Sequence, residues 1–287
     1  MESEKQFETE PGFERIISAG FRDTYVLHEA LGELGQVPVR KNEYGETALR
    51  MDIEAEEVMI NALRAAHLPL RIIAEEHGIV DISEHPEYLG MLDGLDGTNR
   101  YIAGRGVERY GTMFGMFRTL APRFDDYQIS GIMEHPTGRL YVAERGNGAW
   151  VLEGDSRTQL RVSPAASLRE ARIYVDTYWE VNRRAFSDRL AGHNVEDPRS
   201  FATYFSDLIS GKADLVCACT RKGNLEPAIG YAFVKEAGGT MLTLEGEAWG
   251  DKRYLEFGQE EQIPFIAAAS PALAEELLRA IGPPRRY

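Results

Sequence analysis

Along the first half of the chain, stripes of helical period give way to short apolar runs that end in acids. From about residue 13 to 34, apolar positions at Ile16, Ile17, Phe21, Leu27 and Leu31 trace an imperfect helical face. A second helix is expected to start near Asp52, an acceptable N-cap, and to run through Val58, Met59, Ala62 and Leu63. The segment between them, 41–46, is polar and turn-like. Residues 70–74 read as a short strand that delivers Glu75 at its end, and 89–92 do the same for Asp93.

Three β-like runs follow at 110–118, 127–134 and 139–144, the last two joined by the turn Glu134-His135-Pro136-Thr137-Gly138. Another turn leads into a strand at 146–150, and the chain becomes polar over 153–158. The second half reads strand 171–177, helix 180–191, helix 201–210, strand 213–218, helix 227–237, strand 264–269 and helix 272–281. Helices and strands come in blocks, which implies stacked α and β layers rather than one doubly wound sheet. The expectation is a single domain, 1–287, of two lobes: 12–152 and 153–287.

At 287 residues there is ample chain for a core, and 43% hydrophobic with 27% charged residues is ordinary for a globular protein. No apolar run approaches the roughly 18 residues of a membrane span, and residues 1–11 are too acidic for a signal peptide. A net charge of −14 argues against nucleic-acid binding, which needs a basic face. An anionic substrate must then be drawn in locally, by metal ions or a few arginines. Cys217 and Cys219, two thiols in an apolar run, make neither a zinc site nor an expected disulfide, and fit a reduced, cytoplasmic protein.

The chemistry concentrates in Met91-Leu92-Asp93-Gly94-Leu95-Asp96-Gly97-Thr98, with Glu75-Glu76 upstream and Glu226 downstream. Hard divalent cations want oxygen ligands. A turn of exposed backbone N–H groups seats a phosphate oxygen. Side by side, these are what metal-assisted phosphate hydrolysis requires. Each signal has a plainer alternative when taken singly. Glu75-Glu76 is one acidic pair among 46 acids, 93–98 can be an Asx-type turn, and Glu226 before Pro227 suits the first turn of a helix.

Taken in order, these segments resemble the inositol monophosphatase family of Mg2+-dependent, lithium-sensitive phosphatases. The family's Asp-Pro-Ile/Leu-Asp-Gly-Thr is matched by Asp93-Gly94-Leu95-Asp96-Gly97-Thr98. Its Trp-Asp, eleven residues, Gly-Gly is matched by Leu225-Glu226, eleven residues, Gly238-Gly239. Ala74-Glu75-Glu76, Asp52 with Glu56, and the hairpin from Gly131 to Gly148 also fit, so the likeness spans about 13–281. It implies an αβαβα five-layer sandwich of the inositol monophosphatase/fructose-1,6-bisphosphatase type, and commonly a homodimer. It further implies that Glu75, Asp93, Asp96, Glu226 and the Leu95 carbonyl hold two or three Mg2+ ions. Glu75, Thr98 and Asp52 would be catalytic, activating water for attack on phosphorus. Asp96, Gly97, Thr98, Ala202, Thr203 and Arg221 would contact the substrate, a small phosphorylated metabolite.

Four departures bear on that reading. Gly94 replaces the signature proline and is expected to loosen the turn. Leu225 replaces a tryptophan. Glu226 stands where the family has Asp, adding a methylene at a metal ligand. The family's polyol-binding Glu, seven residues before that Asp, falls at Cys219 or Ala218 here. Instead Arg221-Lys222, Arg100, Arg105 and Arg109 suggest a second anionic group on the substrate. The competing readings are an inositol or sugar monophosphate, a bisphosphate such as fructose 1,6-bisphosphate, and a 3′-phosphoadenosine 5′-phosphate-type nucleotide. A catalytically impaired, ligand-binding member of the family is a further alternative. His77 and His135 are expected to have surface or structural roles.

Overall fold

A computed structural model describes residues 12–42 and 44–282, so segments 1–11 and 283–287 and Glu43 lie outside the described residues, as do the Asp188 and Lys222 side chains. Helix α1 (Phe13–Leu31) leads to β1 (Pro38–Lys41), β2 (Thr47–Leu49) and α2 (Arg50–Ala65). Then come β3 (Leu70–Ala74), β4 (Gly78–Asp81), β5 (Tyr88–Asp96) and the short α3 (Thr98–Gly104). A meander follows: β6 (Gly111–Phe117), β7 (Tyr127–Glu134), β8 (Arg139–Glu144), β9 (Gly148–Glu153) and β10 (Ser156–Leu160). The remainder is β11 (Arg172–Val175), α4 (Glu180–Ala185), β12 (Asn194–Glu196), α5 (Phe201–Ile209), β13 (Leu215–Cys219), α6 (Leu225–Glu236), β14 (Thr240–Thr243), β15 (Pro264–Ala268) and α7 (Pro271–Ile281).

Strands β3 to β10 form an eight-stranded sheet in the order β10-β9-β8-β7-β6-β5-β3-β4, antiparallel except for the pair β3–β5. A five-stranded sheet runs β12-β11-β13-β15-β14, parallel through its first three strands. Helices α1 and α2 cover one face of the large sheet, α5 and α6 lie between the sheets, and α4 and α7 cover the far face of the small one. The result is the five-layer αβαβα sandwich.

The sequence forces this order of layers. α1 buries Phe13, Ile17, Phe21, Thr24, His28 and Leu31, one stripe at helical spacing, and leaves its other face in water. α6 buries every residue from Leu225 to Val234, as a helix pressed between two sheets must. Strands β6 and β7 are buried at every position because both faces are covered, so they read as runs rather than alternations.

The structure departs from expectation in places. Asp52 does not cap α2 from outside. It is the third residue of the helix, and its Oδ2 accepts the Leu49 amide at 2.6 Å. Strand β5 continues through Asp96, so the acids at 93 and 96 belong to it. β10 pairs with β9, carrying the large sheet past the boundary expected at 153. The helix expected over 180–191 stops at Ala185 and is followed by a short 3₁₀ turn at Ser187–Arg189. Cys217 and Cys219 are buried and unbridged. Among the described residues no helix is long and apolar enough to cross a membrane.

Close packing of α5 on α6 gives a stability test. A Cβ added at Gly230 would lie 2.0 Å from Cε2 of the fully buried Phe205. Gly230→Ala should destabilise the fold by about 1–3 kcal/mol, the range for overpacking a well-filled core. Thermal denaturation should show a melting point lower by roughly 3–10 °C; an unchanged melting point would contradict this packing.

Candidate active site

The parallel pair β3–β5 brings two acids out of the large sheet together. Ala74 pairs with Leu92, and the Glu75 amide donates to the Leu92 carbonyl at 3.0 Å. Glu75 and Asp93 therefore leave adjacent strands at one level. β5 pairs with β6 at Asp93↔Met113 and again at Asp96↔Gly111, which leaves one extra residue on β5, a bulge. Inside it the Leu95 amide donates to Asp93 Oδ1 at 2.9 Å, and the Thr112 hydroxyl donates to the Gly94 carbonyl at 2.8 Å. Gly97 follows at φ 87°, a conformation that suits glycine, and α3 begins at Thr98.

Oxygen atoms of Asp93, Asp96 and Glu226 all lie within 4.8 Å of one another, and all three residues are buried. Glu226 comes from the first turn of α6. Glu75 lines the same cavity, of about 660 Å³, but lies outside that close triad. At an effective dielectric of about 20, two full charges at such a spacing repel by roughly 3 kcal/mol. Burial raises the Asp96 pKa against the pull of the Ser200 hydroxyl, the Ala202 amide and Arg221. Asp52 is pushed well above the usual carboxylate range by burial and by Glu75 and Glu76, against the pull of the Leu49 amide. Glu76 rises to about 7, first by burial and then by the charges of Glu75 and Glu56. An all-oxygen, charge-crowded donor set of this kind fits a hard divalent cation.

Other groups fix these acids in place. Asp96 Oδ2 accepts the Ser200 hydroxyl at 2.6 Å and the Ala202 amide at 2.8 Å, which ties β5 to the start of α5. The Thr98 hydroxyl lies 3.1 Å from both Asp52 Oδ1 and the Leu95 carbonyl. Glu56, fully buried, accepts the amides of Glu76 and His77 at 3.0 Å and His77 Nδ1 at 2.7 Å, holding the turn that carries Glu75. Gly94 has a reason other than a loosened turn. A Cβ there would sit 2.1 Å from the Asp52 carbonyl oxygen, so the absent side chain lets α2 approach the bulge.

Several expected substrate contacts lie elsewhere. Ala202 and Thr203 are buried in α5 and absent from the cavity wall. The Ala202 amide serves Asp96, and the Thr203 amide donates to the capping Ser200 Oγ. Arg100 donates to the Pro198 and Asp197 carbonyls, Arg105 to the His28 carbonyl, and Arg109 to Glu134, Asp207 and Ser206. None of the three lines the cavity, because each is drawn to a partner distant in sequence. Arg221 does line it, and its Nη2 donates to Glu226 Oε1 at 2.9 Å while its guanidinium stacks over Phe201. Sequence reasoning missed Asp176, Tyr178, Trp179 and Tyr204 in the cavity wall, and gave Ser200 no task. For the Tyr178-Trp179 pair the signal was there: adjacent aromatics just past a strand end.

The model of the inositol monophosphatase family matches residues 15–282. The bifunctional NADP phosphatase/NAD kinase of Methanococcus maripaludis is 27% identical over 222 residues, 71% of this chain and 38% of that protein. The chain thus spans well under half of that relative. The inositol-1-monophosphatase of Bacillus subtilis is 24% identical, covering 81% of this chain and 83% of its own. Among solved structures, an IMPase/NADP phosphatase complexed with Mg2+ and phosphate superposes with a TM-score of 0.74 at 18% identity, covering 96% and 98% of the two chains.

Behind Gly94 stands a buried support with its own pH signature. The Thr112 hydroxyl proton goes to Gly94, so His135 Nε2, 2.9 Å away, donates to Thr112 Oγ1 and the ring is neutral. The ring stacks on His28 with centroids 4.8 Å apart, and burial, with His28 beside it, holds its pKa well below the usual 6.5. The unfolded chain therefore takes a proton below about pH 6.5 that the fold refuses, and stability falls as pH falls through that value. His135→Gln should flatten the stability–pH slope below pH 6.5 by up to about 1.4 kcal/mol per pH unit, the value for one proton. Denaturant melts between pH 5 and 7 measure it, and identical slopes would contradict a neutral buried His135.

Proposed function

The chain belongs to the inositol monophosphatase family and is a phosphoric monoester hydrolase, and we propose that it is Mg2+-dependent and acts on a small metabolite monophosphate. The observation that carries this reading is the triad of buried carboxylates, Asp93, Asp96 and Glu226, within 4.8 Å of one another. With Glu75 and the Leu95 carbonyl they would hold two or three Mg2+ ions. When bound, Mg2+ lowers the pKa of water and offsets charge on the phosphate oxygens.

The chain's own groups do the rest. Asp52 Oδ1 accepts the Thr98 hydroxyl proton, which turns the Thr98 lone pairs toward a water. Glu75 would take that water's proton as its oxygen closes on phosphorus and the P–O ester bond breaks, and the departing oxygen would take a proton from solvent to leave as the alcohol. The amides at the start of α3, after Gly97, have no acceptors inside the helix and would donate hydrogen bonds to the phosphate oxygens. The engagement of Arg100, Arg105 and Arg109 elsewhere favours a monophosphate of an uncharged sugar or cyclitol over a bisphosphate. A nucleotide such as NADP is the second reading, supported by the Methanococcus relative's printed activity and by the exposed Tyr178.

Phosphate release from a panel of sugar, cyclitol and nucleotide phosphates tests this. Release should require Mg2+, be inhibited by Li+, and fall by roughly 100-fold or more in Asp93→Asn and Thr98→Ala, the scale for losing a group that acts on the attacking water. Mg2+-independent release, or full activity in Asp93→Asn, would refute it. Glu226→Asp retracts its carboxylate by about 1.5 Å, one carbon–carbon bond, so calorimetry should show weaker Mg2+ binding. Equal binding would show that the longer side chain is no part of the cation cage, and tighter binding would contradict the expected fit of its extra methylene.

A further inference from the structure

Resting on that hydrolase reading, we propose that Asp176 selects the leaving group: its carboxylate accepts hydroxyls of an uncharged ring alcohol, a cyclitol or sugar. The apolar face of the ring rests on Tyr178 and Trp179. Asp176 is the first residue after β11, and its amide donates to the Cys217 carbonyl at 3.0 Å. β11 and β13 are parallel, with Val175 paired to Cys217, so Asp176 stands at the sheet edge from which the chain runs on to Arg221 and Glu226.

The carboxylate is built in and under-used. Asp176 is 4% exposed yet lines the cavity. Its Oδ1 accepts the Tyr178 amide at 3.1 Å, and among the described residues its side chain has no other hydrogen-bond partner. An ionised carboxylate takes about four hydrogen bonds, and a buried one left short is costly. Burial accordingly raises its pKa, with Arg221 pulling the other way. Hydroxyl groups of a bound alcohol supply the missing donors from the cavity side.

Sign and shape narrow the class. Asp176 lies close enough to Asp197 and Asp96 for their charges to raise its pKa, so a second phosphate placed against it is repelled. Of the two arginines in the wall, Arg221 donates to Glu226 and Arg199 lies 3.6 Å from Asp197. Tyr178 is 56% exposed, and its ring meets Trp179 edge-on with centroids 5.1 Å apart. Aromatic faces beside a carboxylate suit a molecule with C–H groups on one side and hydroxyls at its rim.

The test uses the Mg2+-loaded enzyme with inositol 1-phosphate, glucose 1-phosphate, their analogues lacking the hydroxyl next to the ester, and p-nitrophenyl phosphate. In Asp176→Asn and Asp176→Ala, kcat/KM for the hydroxylated substrates should fall roughly 10- to 100-fold, the weight of a hydrogen bond to a charged group, mainly through KM. p-Nitrophenyl phosphate, which has no hydroxyl to offer, should change less than about 3-fold on the same scale. The better of the two deoxy substrates should lose little further in Asp176→Ala, since the contact is already gone. Tyr178→Ala should raise KM for inositol 1-phosphate and glucose 1-phosphate, and an unchanged KM for both would remove the aromatic face from the proposal. Equal loss on every substrate would assign Asp176 to the cation cage or the fold and overturn the proposal, as would no loss on any. Preference for fructose 1,6-bisphosphate over the monophosphates would overturn it too. Calorimetry with free inositol plus inorganic phosphate reads the same contact without turnover. Absent turnover on every substrate with Asp176-dependent inositol binding would sink the hydrolase reading and leave this one standing.

Discussion

Three carboxylates forced within 4.8 Å of one another, out of water, constrain everything around them. Left to itself such a cluster repels and either spreads or takes up protons. It stays together because two different layers anchor it. Asp93 and Asp96 are fixed by the bulge at the end of β5, and Glu226 by the first turn of α6. Their charge is then a reason to bind a cation rather than a defect, since an ion of charge +2 turns mutual repulsion into shared attraction.

The layered fold makes this possible. α6 lies between the two sheets and is apolar over its whole buried length, so its N-terminus is carried to the cavity by packing. Asp96 has two tasks at once: one oxygen accepts from Ser200 and Ala202 at the start of α5, and the residue also belongs to the acidic triad. Disturbing the triad therefore also loosens the contact between β5 and α5. Glu56 and the Thr112–His135 pair support the two segments that carry Glu75 and Gly94, and neither lines the cavity.

Much of the architecture was legible because the long elements obey simple periods. Strands at 127–134 and 139–144 match their expected limits, being apolar runs closed by a turn. The acidic stretch 93–96 was legible because it closes an apolar strand. What escaped depended on distant partners. Arg100 is claimed by carbonyls some 98 residues on, which no local pattern discloses. Gly94 owes its identity to the nearness of α2, not to its own turn. Asp176 is one acid among 46, conspicuous only once burial and the lack of partners are known. Strands β12 and β14, of three and four residues, are too short to show a period.

The account turns on whether the triad holds a cation. Crystals grown with Mn2+ in place of Mg2+, read by anomalous diffraction, address that directly. The account predicts anomalous peaks coordinated by oxygen atoms of Asp93, Asp96 and Glu226, with the Leu95 carbonyl and Glu75 completing the set. Density showing those carboxylates held only by protein groups, with manganese absent or bound elsewhere, would contradict it.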